Sequence, residues 1–421
     1  MSDRLRIHRA AGGTAARLLA LAAFAALGAC SVNEVVTAEE SELDVATTSQ
    51  DDSRLLDVGI IEFAEGVPED NQPEETRVYE EIRNAESRYL AYHLKTTMQG
   101  TGHWGAVRVI PSADAYTDVV IGAEILESDG EFVKLQVDVS DTTGQQWFTR
   151  IYETQTGVSS YSESRDRRLD PYQKVFNDVA NDVHAFAQTF PHEYIRTLQQ
   201  VSELRFFGDM SPDAYGEHLK YDEDGLVTIN RLPAENDPTA ARLRQIRERD
   251  RLVIDMLNEH YANFYYGIAI PYHAYRKASR EESVNYRQVK RSAALQTLMG
   301  VVVLAGSLQV DTSDSSYSRY RMKQSLQGIG ITEGFNAIMR GITRRNEASI
   351  HVEAIQELAE SFGAEAAPMV VDVQGEERRL TGTAAAQYEA WRKLLREIYQ
   401  VETGFATVDV GAPVRAPEPS L

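Results

Sequence analysis

The chain has 421 residues, is 43% hydrophobic, and carries 64 acidic against 43 basic side chains for a formal net charge of −21. That length and apolar content are enough for sizeable folded cores, while such acidity repels phosphate backbones and argues against nucleic acid as the partner. Cys30 is the only cysteine, which excludes an intramolecular disulfide and leaves stability to packing.

The first thirty residues read as an address. Arg4, Arg6, Arg9 and Arg17 stand against a single acid, Asp3, and an uncharged apolar run follows from Leu18 to Leu27. A basic stretch ahead of a roughly 7–15-residue apolar core is the layout of a secretory signal. The run is about half of the ~20 residues a bilayer crossing needs, so a permanent transmembrane helix is not expected there. It ends in Leu27-Gly28-Ala29-Cys30, which resembles the lipobox of bacterial lipoproteins. In that family cleavage falls just before the cysteine and its thiol carries diacylglycerol. The resemblance implies a signal peptide over 1–29 and a lipidated N-terminus at Cys30, with the membrane as a partner through the lipid. Ser31, where aspartate would favour inner-membrane retention in enterobacterial lipoproteins, points to the outer membrane and to the periplasmic face of the envelope. Removing the basic signal leaves the rest of the chain more acidic still.

Residues 30–54 combine acids with Ser and Thr and little apolar content, the composition of a disordered tether. The segment 55–154 is then expected to form an α+β domain. Leu56–Phe63 is a short apolar run, and Val78, Ile82, Ala85, Tyr89 and Tyr92 recur at helical spacing. A strand follows from Trp104 to Ile110 and stops at Pro111. Val119, Ile121, Ala123 and Ile125 alternate; so do Val133, Leu135, Val137 and Val139, which predicts strands with one buried face. Asp129-Gly130 and Thr143-Gly144 read as hairpin turns, the second leading into a strand over Gln145–Tyr152. The predicted order is β-α-β-β-β-β.

The pattern Asp118-Val119-Val120-Ile121-Gly122, then a strand, then Asp141-Thr142-Thr143-Gly144 and a Trp147 strand resembles the periplasmic α/β domain of TolB N-terminal-like and curli-secretion-like lipoproteins. The resemblance covers roughly a quarter of the chain and implies an accessory role in assembly or transport, on a domain without catalytic residues. The propeller repeats of TolB-like proteins have no counterpart further along.

From Asp170 the pattern becomes helical, so the fold class is α+β: a sheet domain, then a larger, mostly α-helical domain over 170–400 with a small C-terminal β-hairpin. Helices are expected over Tyr172–Phe190 and His192–Phe207, and a turn-rich stretch runs on to Pro238. A long helix starts near Thr239, with Leu243, Ile246, Val253, Leu257, Tyr261, Phe264 and Ile268 near one stripe, until Pro271 kinks or ends it. Further helices are expected over 281–309, 316–342 and 346–362. Met369–Val373 and Arg378–Leu380 around Gly375 read as the hairpin. The last helix carries Tyr388, Trp391, Leu395 and Ile398 on one face, and 401–421 is a tail.

Chemical motifs fail one by one. His192-Glu193-Tyr194-Ile195-Arg196 begins like a zinc-protease helix, but Arg196 stands where the second imidazole must be. His93, His103, His184, His218, His260, His273 and His351 are scattered, and only the fold could gather them into a metal site. Gly328-Ile329-Gly330 with Gly334 has one residue too many for a dinucleotide loop, and no nucleotide or acyl-transfer signature is visible. Arg242, Arg244, Arg247, Arg249 and Arg251 form a basic cluster that either meets an anionic partner or pairs with Glu248, Asp250 and Asp255 along the helix. Tyr261, Phe264, Tyr265, Tyr266, Tyr272 and Tyr275 either bind sugars or pack the core. The apolar stretch 293–310 reads as a core helix, an oligomer interface or a membrane-inserted segment, with polar Gln296, Thr297, Ser307 and Gln309 favouring the first. The sequence therefore assigns no catalytic residue, cofactor or metal ligand. The expected role is binding, scaffolding or assembly within an envelope complex, through a partner protein or self-association. An envelope glycan or peptidoglycan hydrolase using carboxylates of the helical half is the alternative, and a homo-oligomeric or pore-forming lipoprotein built on 293–310 the third.

Overall fold

The computed structural model describes residues 41–48, 51–69, 78–112, 115–162, 169–307, 369–373 and 376–403. Its centre is a five-stranded mixed sheet with the strand order β2-β1-β3-β4-β5. The strands are β1 (Val58–Ile61), β2 (Val107–Ile110), β3 (Val119–Ser128), β4 (Phe132–Asp141) and β5 (Gln146–Gln155). β1 is short, apolar and parallel to both neighbours, as suits a strand buried within the sheet. Between β1 and β2 the chain crosses over through helix α1 (Glu80–Thr101). β3, β4 and β5 form an antiparallel meander, joined by the two expected turns. Asp129 Oδ1 accepts the backbone N–H groups of Glu131 and Phe132, and Asp141 Oδ1 accepts that of Thr143. Mixed α and β structure, in the predicted order, is thus present.

Alternation along β3 and β4 decides which face is dry. Val119, Ile121, Ala123 and Ile125, with Val133, Leu135, Val137 and Val139, are buried beneath α1 and α2 (Gln173–Ala187). Asp118 and Asp141 are structural hubs. Asp141 accepts from Trp147 Nε1 at 2.8 Å and Tyr194 Oη at 2.7 Å. Asp118 Oδ2 accepts the Asp57 N–H at 2.9 Å, and its Oδ1 accepts the Ser202 hydroxyl of α3 (His192–Met210) at 2.5 Å. In the stretch read as turns, Leu219–Tyr221 (β6) and Val227–Ile229 (β7) make a small ladder that propensity does not reveal.

The long helix, α4, runs from Pro238 to Ser307, about 105 Å at 1.5 Å per residue. Asp237 caps it through the N–H groups of Thr239 and Ala240. Of the two outcomes expected at Pro271, a kink or an end, the end is corrected, because α4 continues past it. Tertiary contacts grip both sides of the proline: Ile268 and Tyr272 are wholly buried, and Tyr272 Oη donates to Glu86 Oε1 on α1 at 2.7 Å. They outweigh the lost hydrogen bond. Helices expected over 316–342 and 346–362, the glycines at 328–334, His351 and the tail lie outside the described residues. Met369–Val373 (β8) and Glu376–Leu380 (β9) pair antiparallel, and α5 (Ala384–Thr403) lays Tyr388, Trp391, Leu395 and Ile398 into the core.

One contiguous apolar cluster runs from Leu56 to Tyr399, so the sheet and the helices share a core. Two polar fastenings and one close backbone approach are among the contacts that hold α4 to the rest of the body. Asn258 accepts from Val109 N–H and donates to Val109 C=O, both at 2.8 Å, along the outer side of β2. Arg276 donates to both oxygens of Asp170 at 2.8 and 2.7 Å, wholly buried among Tyr272, Tyr172 and Tyr89. Gly130, with φ of +81°, brings the β3–β4 turn so close that a Cβ there would lie 2.1 Å from the Arg276 carbonyl oxygen. The segment Ser41–Ala46, read from sequence as tether, lies against the body. Asn177 and Asn181 donate to the Ser41 and Glu42 carbonyls, the Asp44 N–H donates to Asn181 Oδ1, and the Ala46 N–H to the Thr101 carbonyl.

Candidate functional site

Three features of the fold are candidate sites: the arginine cluster, the outer face of α4, and a group of histidines. Three of the five arginines, Arg244, Arg247 and Arg251, line a cleft of roughly 380 Å³ between β1, α3 and α4, together with Asp57, Asp118, Glu203 and Glu248. Most of their partners come from other elements. Arg251 bonds Asp57 on the strand side as well as Glu248 on its own helix, and Arg244 pairs with Glu203. Arg247 donates to Ser202 Oγ at 2.9 Å and to the Tyr116 carbonyl at 3.1 Å. Asp250 and Asp255, expected to pair along the helix, serve elsewhere: Asp250 accepts from Trp391 and Tyr388 and faces Arg392, and Asp255 pairs with Arg108. Burial pushes the Asp118 carboxyl up, and burial, seconded by the Arg251 charge, pushes Arg247 down. With three arginines against four carboxylates, the cleft holds near-balanced charge and does not form an anion pocket.

The aromatic stretch packs inward. Tyr261, Phe264, Tyr272 and Tyr275 are buried, and only Tyr266 of the six is fully exposed. The outer face of α4 is more informative. Leu252, Met256, Tyr266 and Ile270 are 62%, 43%, 68% and 82% exposed. With Glu259 and Asn263 between them, they are spaced alternately four and three residues apart, the repeat of a coiled-coil seam. Ala262, Gly267 and Ala269 flank the seam, and small residues there allow another backbone to come close. The seam lies opposite the stripe that packs on the body.

Histidines that are scattered in sequence are gathered by the fold. His103 follows the end of α1, His184 lies in the last turn of α2, and Asp44 projects from the docked N-terminal segment. The two imidazoles stack with centroids 3.4 Å apart and planes 14° apart. Asp44 Oδ2 lies 3.0 Å from His184 Nδ1 and 3.4 Å from His103 Nε2. Burial, then the neighbouring His103 charge, lowers the His184 pKa. His93 is different: its Nδ1 accepts from Tyr265 Oη at 2.7 Å and its Nε2–H donates to Gln173 Oε1 at 2.9 Å, a buried neutral ring with both nitrogens satisfied. His192 and Glu193, from the failed zinc-protease motif, sit exposed in the first turn of α3.

Among the described residues no helix is long and apolar enough to cross a membrane. Side chains of 293–307 are outside the described set, as is Cys30. No known protein family, curated protein or solved structure matches the chain.

Proposed function

We propose that this chain is a lipoprotein anchored at Cys30 to the periplasmic face of the envelope, at the outer membrane, where it acts without catalysis as a scaffold or assembly component. In this reading the sheet unit of 55–154 and the helical part of 170–400, with its C-terminal hairpin, form one body that presents α4 to a partner. The observation that carries the reading is the seam of Leu252, Met256, Tyr266 and Ile270. Water-exposed apolar side chains of that size at coiled-coil spacing are the binding face that an amphipathic helix of another protein covers. Photocrosslinking groups placed singly at Met256, Tyr266 and Ile270, with Ile151 on the open face of the sheet as control, test it in intact envelopes. One partner species captured from all three seam positions and not from Ile151 supports the scaffold. Homodimer adducts alone move the assignment to self-association, and equal labelling at Ile151 refutes the seam. The anchor is tested separately: Cys30→Ala should abolish acyl labelling, and persistent labelling sinks the lipoprotein reading.

The hydrolase alternative draws on Glu203 and Glu248, which line the same cleft. Both are engaged by arginines, and peptidoglycan clearance that is lost in Glu203→Gln or Glu248→Gln would favour it.

A further inference from the structure

We propose that Asp44, His103 and His184 bind a divalent transition-metal ion of the zinc class, which fastens the N-terminal segment to the ends of α1 and α2. Three residues separated by 59 and 81 positions in the chain place one ligand atom each within 4.8 Å of one another, none of them on α4 with its seam. Two imidazole nitrogens and a carboxylate oxygen are the donor set zinc accepts at about 2.0–2.2 Å. Tetrahedral geometry at those bond lengths separates ligand atoms by about 3.3–3.6 Å, and ion binding requires the two imidazoles to turn out of their parallel stack so that both in-plane lone pairs meet.

The surroundings hold the donors in place. The Asp44 backbone is pinned to Asn181 at 2.9 Å without help from its carboxylate, which leaves the side chain to face the rings. Both imidazoles are nearly buried, whereas Asp44 is half-exposed, giving a solvent-facing side through which an ion arrives and a water completes its coordination. The Gln188 side-chain amide lies 3.1 Å from His184 Nε2, on the far side of the ring from Asp44. With its oxygen turned to that nitrogen, the amide accepts Nε2–H, fixes the tautomer and directs the Nδ1 lone pair at the ion. Long-range attraction adds to this, because a chain of net charge −21 raises the local concentration of cations.

The test uses the full chain without a polyhistidine tag, stripped with a chelator and titrated with Zn²⁺ by calorimetry and against a chromophoric chelator. Co²⁺ serves as a second probe, read by the absorption of a four-coordinate site. The expected result is one equivalent of Zn²⁺ per chain. That uptake should be lost in His103→Ala and His184→Ala, and weakened by about 10–100-fold in Gln188→Leu. Asp44→Asn removes only an exposed carboxylate, so it keeps the test decisive if a histidine variant fails to fold. It should weaken Zn²⁺ and abolish the protection from hydrogen exchange that the ion confers on residues 42–46. No stoichiometric uptake by the wild-type chain, or the same affinity in wild type and Asp44→Asn, overturns the proposal.

Discussion

Replacing Arg276 with methionine tests how α4 is held to Asp170, just ahead of α2. Arg276 makes two charge-assisted hydrogen bonds to Asp170, at 2.8 and 2.7 Å, each of a kind contributing about 1.5–3 kcal/mol. Its guanidinium also lies 4.2 Å from the Tyr272 ring centre, a desolvated cation–π contact of about 2 kcal/mol. Against these stands the removal of both charges from water, which for a buried pair offsets most of the attraction. The pair as a whole is therefore close to neutral, and the penalty comes from breaking it one-sidedly. Arg276→Met leaves the Asp170 carboxylate buried without its counter-ion and should destabilise by about 3–5 kcal/mol, whereas Arg276→Met with Asp170→Leu should recover most of the loss. Acidity supplies a second readout. Burial raises the Asp170 carboxyl, but the Arg276 charge and hydrogen bonds outweigh it and hold the group well below the ordinary carboxylate range. In the wild type that contribution is complete above the unfolded value of about 4 and is lost as the pH falls towards the folded one. Without Arg276 burial wins, the folded pKa rises, and protonation relieves the strain of the charge. The gap between Arg276→Met and wild type should then narrow from pH 7 to pH 5. Urea unfolding followed by circular dichroism at both pH values measures this. A single-variant loss below about 1 kcal/mol, or a double variant no more stable than the single one, refutes the account.

Two other perturbations address different links. Gly130→Ala should destabilise by at least about 2 kcal/mol in the same assay, because it adds a Cβ at positive φ where the Arg276 carbonyl oxygen and Arg280 nitrogen stand 2.1 and 2.7 Å away; an unchanged midpoint would show that α4 does not press on the turn. His93→Gln should lower stability at pH 7 yet flatten its decline on acidification. Burial lowers the His93 pKa, so its contribution is complete above about pH 6.5 and is lost as the pH falls through the folded value, by up to about 1.4 kcal/mol per pH unit. Equal slopes for variant and wild type between pH 7 and 5 would assign that decline to other groups.

The sheet was legible because its signals are local. Alternation in β3 and β4 and the Asp129-Gly130 and Thr143-Gly144 turns each lie within a few residues, and they produce the observed hairpins. α4 was half legible. The stripe of Leu243, Ile246, Val253, Leu257, Tyr261, Phe264 and Ile268 is buried as the periodicity implies. The passage through Pro271 depends on Glu86 and Asp170, far away in the chain, and the seam on the opposite face is masked by the stronger buried stripe of the same helix. The arginine cluster misled in its partners, since Asp57 and Glu203 reach it only through the fold. The Asp44, His103 and His184 group has no spacing rule at all: its residues meet because two helices end at one place and the N-terminal segment is tied across them.

The Asn258 amide has one more consequence. By offering Val109 both a donor and an acceptor, it imitates a neighbouring peptide group and closes one end of the sheet. β5 is the opposite end, ten residues with no outer ladder partner among the described residues. The two edges of the sheet are therefore not equivalent: any extended segment pairing at β2 would first have to displace a side chain that already holds Val109, whereas β5 carries no such substitute among the described residues.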